Sequence, residues 1–420
     1  MKKRKFAELE GMRNPLTCEI GKEVTMRTRL ACTLGILIVA CGLVLSGCKK
    51  SPEGPVKTTP AALTPIKVGA IFAVTGPASF LGAPEAKTVE MFVEKINAAG
   101  GVNGRKIQML VRDSGGSPEK AISMAKQLID EEKVLAIIGP STSGETLQIK
   151  SICQEGQTVL LSCAAAEEIV VPMASYVFKT PQKDSQAAQW IFDTMKNLGI
   201  KKIGVITSNT GFGKGGKAQL EKMAPENGVE IAISEVYEKE ATDLTGVLTK
   251  VKGAGVQAVV NWSIEPAQGI VAKNMKQIQL DVPLFQSHGY GNIKYVQGSG
   301  EAANGTIFPC GRLLVADTLP ADNPQKTLLL EYKKSYESKY GEDASTFGGH
   351  AYDAILILTE AIKKAGSADT KAVRNAIENL TGVVGTAGVF NFSAQDHNGL
   401  GLDAFTMLTI KDGKFAIYQK

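Results

Sequence analysis

Two rhythms of apolar and polar positions alternate along most of this chain. Short apolar runs bounded by turn residues occupy 66–71, 106–111, 134–138 and 158–161, and their length and flanks predict strands. Between them the spacing changes. Over 86–98, Val89, Phe92, Val93 and Ile96 fall on one stripe that ends at Gly100-Gly101, which predicts a helix with a glycine stop. A second helix is predicted over 118–132, with Pro118 at its first position. The order resumes with strands over 202–207, 231–236 and 258–261 and helices over 215–226 and through Lys250. Strands alternating with helices call for parallel sheets covered on both faces, hence an α/β fold. Two such blocks are visible, parted near Lys179-Thr180-Pro181. Residues 66–420 are more than one core usually holds, so two domains are expected.

One apolar run breaks the pattern. Leu30 to Leu45 is uncharged, follows Arg27 and Arg29, and leads into Ser46-Gly47-Cys48. At 16 residues it is short of the roughly 20 that span a bilayer. A positive start, an apolar middle and small residues at the end are the layout of a secretory signal peptide. Leu45-Ser46-Gly47-Cys48 also resembles the bacterial lipobox, which implies lipid on Cys48 and an extracytoplasmic chain anchored to a bacterial membrane. Residues 1–25 are polar and charged, and Met26 makes a natural start. The expected division is therefore a dispensable extension over 1–25, a signal peptide over 26–47, and an anchor with a proline-containing tether over 48–65.

That division changes the charge balance. The whole chain carries +5, but residues 1–50 hold ten Lys and Arg against four Asp and Glu, so the other 370 residues carry −1. No basic stripe is left to argue for nucleic acid. Of the seven cysteines, Cys18, Cys32 and Cys41 precede the anchor. Cys153, Cys163 and Cys310 lack metal-ligand spacing and are expected as buried small side chains.

Catalytic patterns are weak. The run from Gly211 to Lys217 fits a phosphate loop, yet Ala218 stands where a Ser or Thr would hold magnesium. A glycine-rich strand-to-helix turn is expected instead, with Phe212 projecting into a cleft above the sheet. His288, His350 and His397 have no zinc spacing, and no nucleophile elbow is present. His350, opening an apolar helix, and His397, in a turn-like run, are expected to be structural. No enzyme activity, cofactor or metal is expected. The run Gly139-Pro140-Ser141-Thr142-Ser143-Gly144 is different, because it joins the carboxyl end of an apolar strand to a helix. Ligands bind at such places in open α/β sheets, and the helix start favours an anion. Capping that helix needs one hydroxyl, and three are present.

Several runs then combine. Val68-Gly69-Ala70 leads into Thr75-Gly76-Pro77-Ala78-Ser79-Phe80-Leu81-Gly82, followed by the segment 96–104, by Ile137-Ile138-Gly139-Pro140, and by Gly349-His350-Ala351-Tyr352-Asp353-Ala354. In order and spacing they resemble the solute-binding proteins of branched-chain amino acid ABC importers, over essentially all of 66–420. The resemblance implies two doubly wound parallel-sheet lobes joined by three crossovers, near 180–181, 309–311 and 386–389. Residues 66–180 with 311–386 would form the first lobe, and 181–310 with 387–420 the second. It implies a monomer that captures a small apolar carboxylate between closing lobes and hands it to membrane permease subunits. A sensor of the same fold, signalling to a kinase or chemoreceptor, stays open as the alternative.

By the same resemblance, Phe80 would supply an aromatic from the first loop. Ser143, with Ser141 and Thr142 beside it, would grip the ligand carboxylate. Cys163, Ala164 and Ala165 would form the second contact, with Phe212 and Trp262 packing from the other lobe. Two departures matter. Ala165 stands where amino-acid binders carry a hydroxyl, and the 286–290 loop offers His288 and Tyr290 where they place an acid for the ammonium. Glu265 and Glu167 are the acids that could replace it. The ligand is thus expected to be a hydrophobic amino acid or an aromatic acid of the branch that carries a Ser-His-Gly run.

Overall fold

The computed structural model describes residues 63–419. The extension, the signal peptide, Cys48 and most of the tether lie outside the described residues. A first sheet is wholly parallel, with strand order β2-β1-β3-β4-β5. Its strands are β1 (Ile66–Phe72), β2 (Ile107–Asp113), β3 (Ala136–Ile138), β4 (Val159–Ser162) and β5 (Val177–Lys179). The central strands β3 and β4 are buried at every position, as both-face coverage requires. The helices α1 (Ser79–Ala98), α2 (Pro118–Lys126) and α3 (Ser143–Glu155) connect them. A π turn over Gln127–Glu131 extends α2 to about the length the sequence predicts.

The second sheet has the order β14-β13-β10-β9-β8-β6-β7. It contains β6 (Lys202–Ser208), β7 (Glu230–Tyr237), β8 (Ala258–Trp262), β9 (Leu284–Gln286) and β10 (Ile307–Cys310), all parallel. The strands β13 (Thr406–Lys411) and β14 (Lys414–Ile417) add an antiparallel edge. The helices α4 (Asp184–Leu198), α5 (Gly211–Met223), α6 (Thr245–Gly253), α7 (Val271–Gln277) and α8 (Ile293–Ser299) flank it. The chain then returns to the first sheet as α9 (Lys326–Tyr340), α10 (Thr346–Ala365) and α11 (Thr370–Ile377). A small hairpin follows, β11 (Val383–Val384) and β12 (Val389–Phe390).

The two-lobed α/β architecture matches the expectation, with two differences of detail. Ala387, Phe390, Phe392 and Leu400 pack in the first-sheet core with Phe178 and Ile355, whereas Phe405 packs with the second. The third passage between lobes therefore falls near 404–405 and not at 386–389. Helix α1 also begins seven residues before the predicted start at 86. Pro84 lies inside it and has no N–H for the Phe80 carbonyl four residues back. That carbonyl instead accepts from Asn292 Nδ2 of the other lobe at 3.2 Å. The proline that hides the helix start in sequence frees a group for contact between lobes.

Cys153, Cys163 and Cys310 are buried and free. His397 lies in a bend, as the turn-like run suggests, but it does more than turn the chain. It is buried and stacked on Phe178, with its ring nitrogens 2.9 Å from the Val177 carbonyl and 3.0 Å from Glu378 Oε1. Among the described residues no helix is long and apolar enough to cross a membrane.

Candidate ligand-binding cleft

The carboxyl ends of parallel strands from both sheets face one another. From the first lobe come Leu81 after β1, Ser143 after β3 and the 163–165 segment after β4. From the second come Phe212 after β6, Ile264 and Glu265 after β8, and His288 after β9. They enclose two adjoining chambers that share Ser143, Phe212 and Ile264 as a partition. The outer chamber measures about 250 Å3 and takes in Thr210, Lys214, Lys239 and Glu265. The inner one measures about 20 Å3 and takes in Leu81, Cys163, Ala164, Ala165, His288 and His350. A groove of about 500 Å3 between α9 and the β13–β14 hairpin includes none of the α3 or α5 ends.

Two helix starts meet at the partition. Thr142 caps α3, accepting from the Glu145 amide at 3.3 Å, and Thr210 caps α5, accepting from the Gly213 amide at 3.2 Å. A Cβ on Gly211 would stand 2.8 Å from the Gly144 nitrogen, so the two ends are in contact. Both present positive helix termini to the cleft, where an anion is favoured. Lys214 and Lys239 add full positive charges at the outer wall.

The three hydroxyls of the Ser141-Thr142-Ser143 run divide their roles. Ser141 Oγ accepts from the Ala73 amide at 3.0 Å and donates to the buried Glu85 carboxyl, whose pKa burial holds well above its usual range. Thr142 Oγ1 donates to Glu145 Oε2 at 2.7 Å while it caps α3. Neither is left to grip a ligand, because the fold needs both. Ser143 Oγ accepts from the Ala166 amide at 3.1 Å, which leaves its own proton to donate into the chambers it lines.

The expected aromatics also separate. Phe212 lines both chambers and packs edge-on to His288, with ring centres 5.4 Å apart. Trp262 lies beneath it in the second-lobe core, fully buried. Tyr290 stacks on Tyr295 and meets Phe308 edge-on, away from both chambers. Phe80 lies against Tyr295 under the Lys294 ammonium, and its neighbour Leu81 takes the place at the wall. Phe80, Trp262 and Tyr290 are thus supports, not lining. A residue next to a cleft loop points in or out by helix phase, which the resemblance alone could not fix.

Titratable groups crowd the second-lobe side. Glu265 is 6% exposed and makes no hydrogen bond through its carboxyl; burial pushes its pKa up to about 7. His288 lies with Nε2 3.6 Å from Asp184 Oδ1. Burial first, and the Lys179 charge second, hold this imidazole well below its ordinary range, so the two do not form an ion pair. Burial raises Asp184 and lowers Lys179, whose ammonium donates to the Ala165 carbonyl and to the Gln182 carbonyl at 3.2 Å. Glu167 accepts from the Ser185 amide at 3.1 Å and so belongs to the start of α4. No periodic signal marks Lys179, Asp184 or His350, since isolated polar residues in apolar surroundings look alike whether they face a core or a cleft.

A model of the periplasmic binding protein family matches residues 65–414. The chain belongs to that family. The leucine-, isoleucine-, valine-, threonine- and alanine-binding protein of Pseudomonas aeruginosa is 27% identical over 321 residues, covering 75% of this chain and 83% of that protein. A Leu/Ile/Val-binding protein homologue of Brucella melitensis biotype 1 is 26% identical over 361 residues, or 84% of this chain and 94% of its own length. An extracellular ligand-binding receptor from Rhodopseudomonas palustris HaA2 superposes with a TM-score of 0.79 at 27% identity, over 84% of this chain and 99% of that one. In periplasmic binding proteins the cleft between lobes is where a solute would sit, and this chain is a solute-binding protein of that type.

Proposed function

We propose that this chain is the lipid-anchored, extracytoplasmic receptor of an ABC importer and captures a small apolar carboxylate by closing its lobes. One observation carries the reading. Ser143 of one lobe faces Phe212 and Ile264 of the other, where two helix starts converge. A carboxylate there takes hydrogen bonds and the favourable end of two dipoles, while its apolar body meets Phe212 and Ile264. Closure about the crossovers then shifts the open–closed balance by the ligand's differential affinity.

Relatives named for hydrophobic amino acids support a small apolar ligand. Neutral His288, in the loop where such binders carry an acid, supports a carboxylate that needs no ammonium partner. A thermal-shift screen of the ligand-stripped protein separates the two. At a hundred times its dissociation constant a ligand adds about 2.7 kcal/mol of stability. No response to amino acids or to benzoate- and cinnamate-type acids would end the carboxylate reading. The anchor is tested separately: incorporation of labelled fatty acid that survives Cys48→Ala would rule out lipidation there.

A further inference from the structure

The inner chamber has the size of one water molecule, and two imidazoles stand in its mainly apolar wall. His288 of the second lobe and His350 of the first both line it, 7% and 9% exposed. Both ring nitrogens of His288 and Nδ1 of His350 have no hydrogen-bond partner among the described residues. Buried polar atoms are rarely left that way, so unpartnered nitrogens on two rings that both line this chamber point to a group that belongs there. Apart from Ser141 and Ser143 the rest of the wall is mainly apolar, from Leu81, Cys163, Phe212, Ile264 and Phe347.

The chemistry of that group can be narrowed by charge and size. Both imidazoles are neutral: burial holds His288 well below its ordinary range and His350 down to about 3. Among the described residues no lysine or arginine lines the chamber, and the Asp184 carboxyl stands behind His288. Asp184 Oδ1 lies 3.6 Å from His288 Nε2, and Glu168 Oε2 and Asp184 Oδ2 both lie close to Gly215. About 20 Å3 has room for a single oxygen-sized group, too little for the two oxygens of a carboxylate. A ligand ammonium is opposed as well, because the buried Lys179 ammonium is bonded to the carbonyl of Ala165 in the same wall. What remains is a small uncharged group that can donate and accept. Neutral imidazoles offer one donor and one acceptor each, which matches a hydroxyl.

We propose that the inner chamber recognises a hydroxyl of the ligand, held between His288 and His350, while the carboxylate stays at Ser143 and the starts of α3 and α5. The inference rests on reading the cleft as a carboxylate site. It makes the substrate class a hydroxylated apolar acid, aromatic or aliphatic, with the body of the molecule in the outer chamber.

Calorimetric titration of the full ligand-stripped chain tests it with matched pairs. These are benzoate against 3- and 4-hydroxybenzoate, hexanoate against 6-hydroxyhexanoate, and 4-methylpentanoate against its 2-hydroxy derivative, with leucine alongside. At least one hydroxylated acid should bind roughly tenfold or more tighter than its parent, as expected when a site's buried polar atoms lose their partner. His288→Phe and His350→Phe should each bring that ratio to within about threefold, and His288→Gln, which keeps hydrogen-bonding capacity, should keep more of it. Should either phenylalanine variant fail to fold, the native panel decides alone. Carboxylates that bind with no hydroxyl preference, or a preference that survives both phenylalanine variants, overturn the inference and leave the cleft reading standing. Binding of no carboxylate overturns both.

Discussion

The Trp262 indole fills the space that a side chain on Gly216 would need, so a Cβ there would overlap the ring. Gly213 is held just as closely against the Ser208 carbonyl. The run that imitates a phosphate loop is thus glycine-rich for packing: it lets α5 lie down on the second sheet beneath Phe212. Gly216→Ala should lower stability by about 1–3 kcal/mol, the usual range for overpacking, and should alter tryptophan fluorescence. A urea midpoint equal to the native one would show that Trp262 can turn aside freely.

Gly211 differs because its neighbour belongs to the other lobe. A Cβ at that position would stand 2.8 Å from the Gly144 nitrogen and 2.9 Å from its Cα. Gly211→Ala should therefore hinder closure and weaken ligand affinity by about tenfold, a 1.4 kcal/mol effect, while the ligand-free melting temperature holds. Equal loss of stability without ligand would place the residue in the lobe's own packing.

Ser143→Ala removes a hydroxyl that both accepts the Ala166 amide and faces the ligand. Two effects of different kind are expected. Affinity for a carboxylate should fall by about 1–3 kcal/mol, and ligand-free stability by about 1 kcal/mol through the unpartnered amide. An unchanged dissociation constant would take Ser143 out of the site.

Phe212 lines both chambers of the cleft. At 2% exposure, packed on Trp262 and His288, the ring is also core. Truncation should lower stability by about 3–5 kcal/mol besides weakening affinity. Phe212→Leu should recover most of the stability and less of the affinity, measured as melting temperature against dissociation constant.

Glu265 gives a pH signature. Its carboxyl is pushed up to about 7 from an ordinary 4.5, so the folded chain holds this proton more tightly than the unfolded one. The group therefore destabilises the fold increasingly as pH rises from about 4.5 and levels off above about 7. Glu265→Gln should match the native protein near pH 4 and exceed it at pH 8 by up to about 3 kcal/mol. Parallel stability curves across that range would mean that the carboxyl is not held in its buried place.

Much of the architecture was legible because both-face burial writes apolar runs into β1, β3 and β4 and glycine stops after the helices. The start of α1 was not, since Pro84 imitates a first-turn proline while it sits mid-helix. In the cleft, Ser143 and Phe212 fell where the motifs put them. Phe80, Trp262 and Tyr290 turned into the packing, and His350 emerged at the inner chamber, because a motif fixes the loop and not the rotation of each side chain about it.

The contact of α3 with α5 has one more consequence. Each helix start carries a partial positive charge of about half an elementary unit, and bringing two of them together is a repulsion that strengthens as the lobes exclude water. An arriving anion reverses its sign. The solute would then act as the counter-ion that lets two like-charged surfaces approach, and an uncharged molecule of the same shape would fill the space without supplying the force that shuts it.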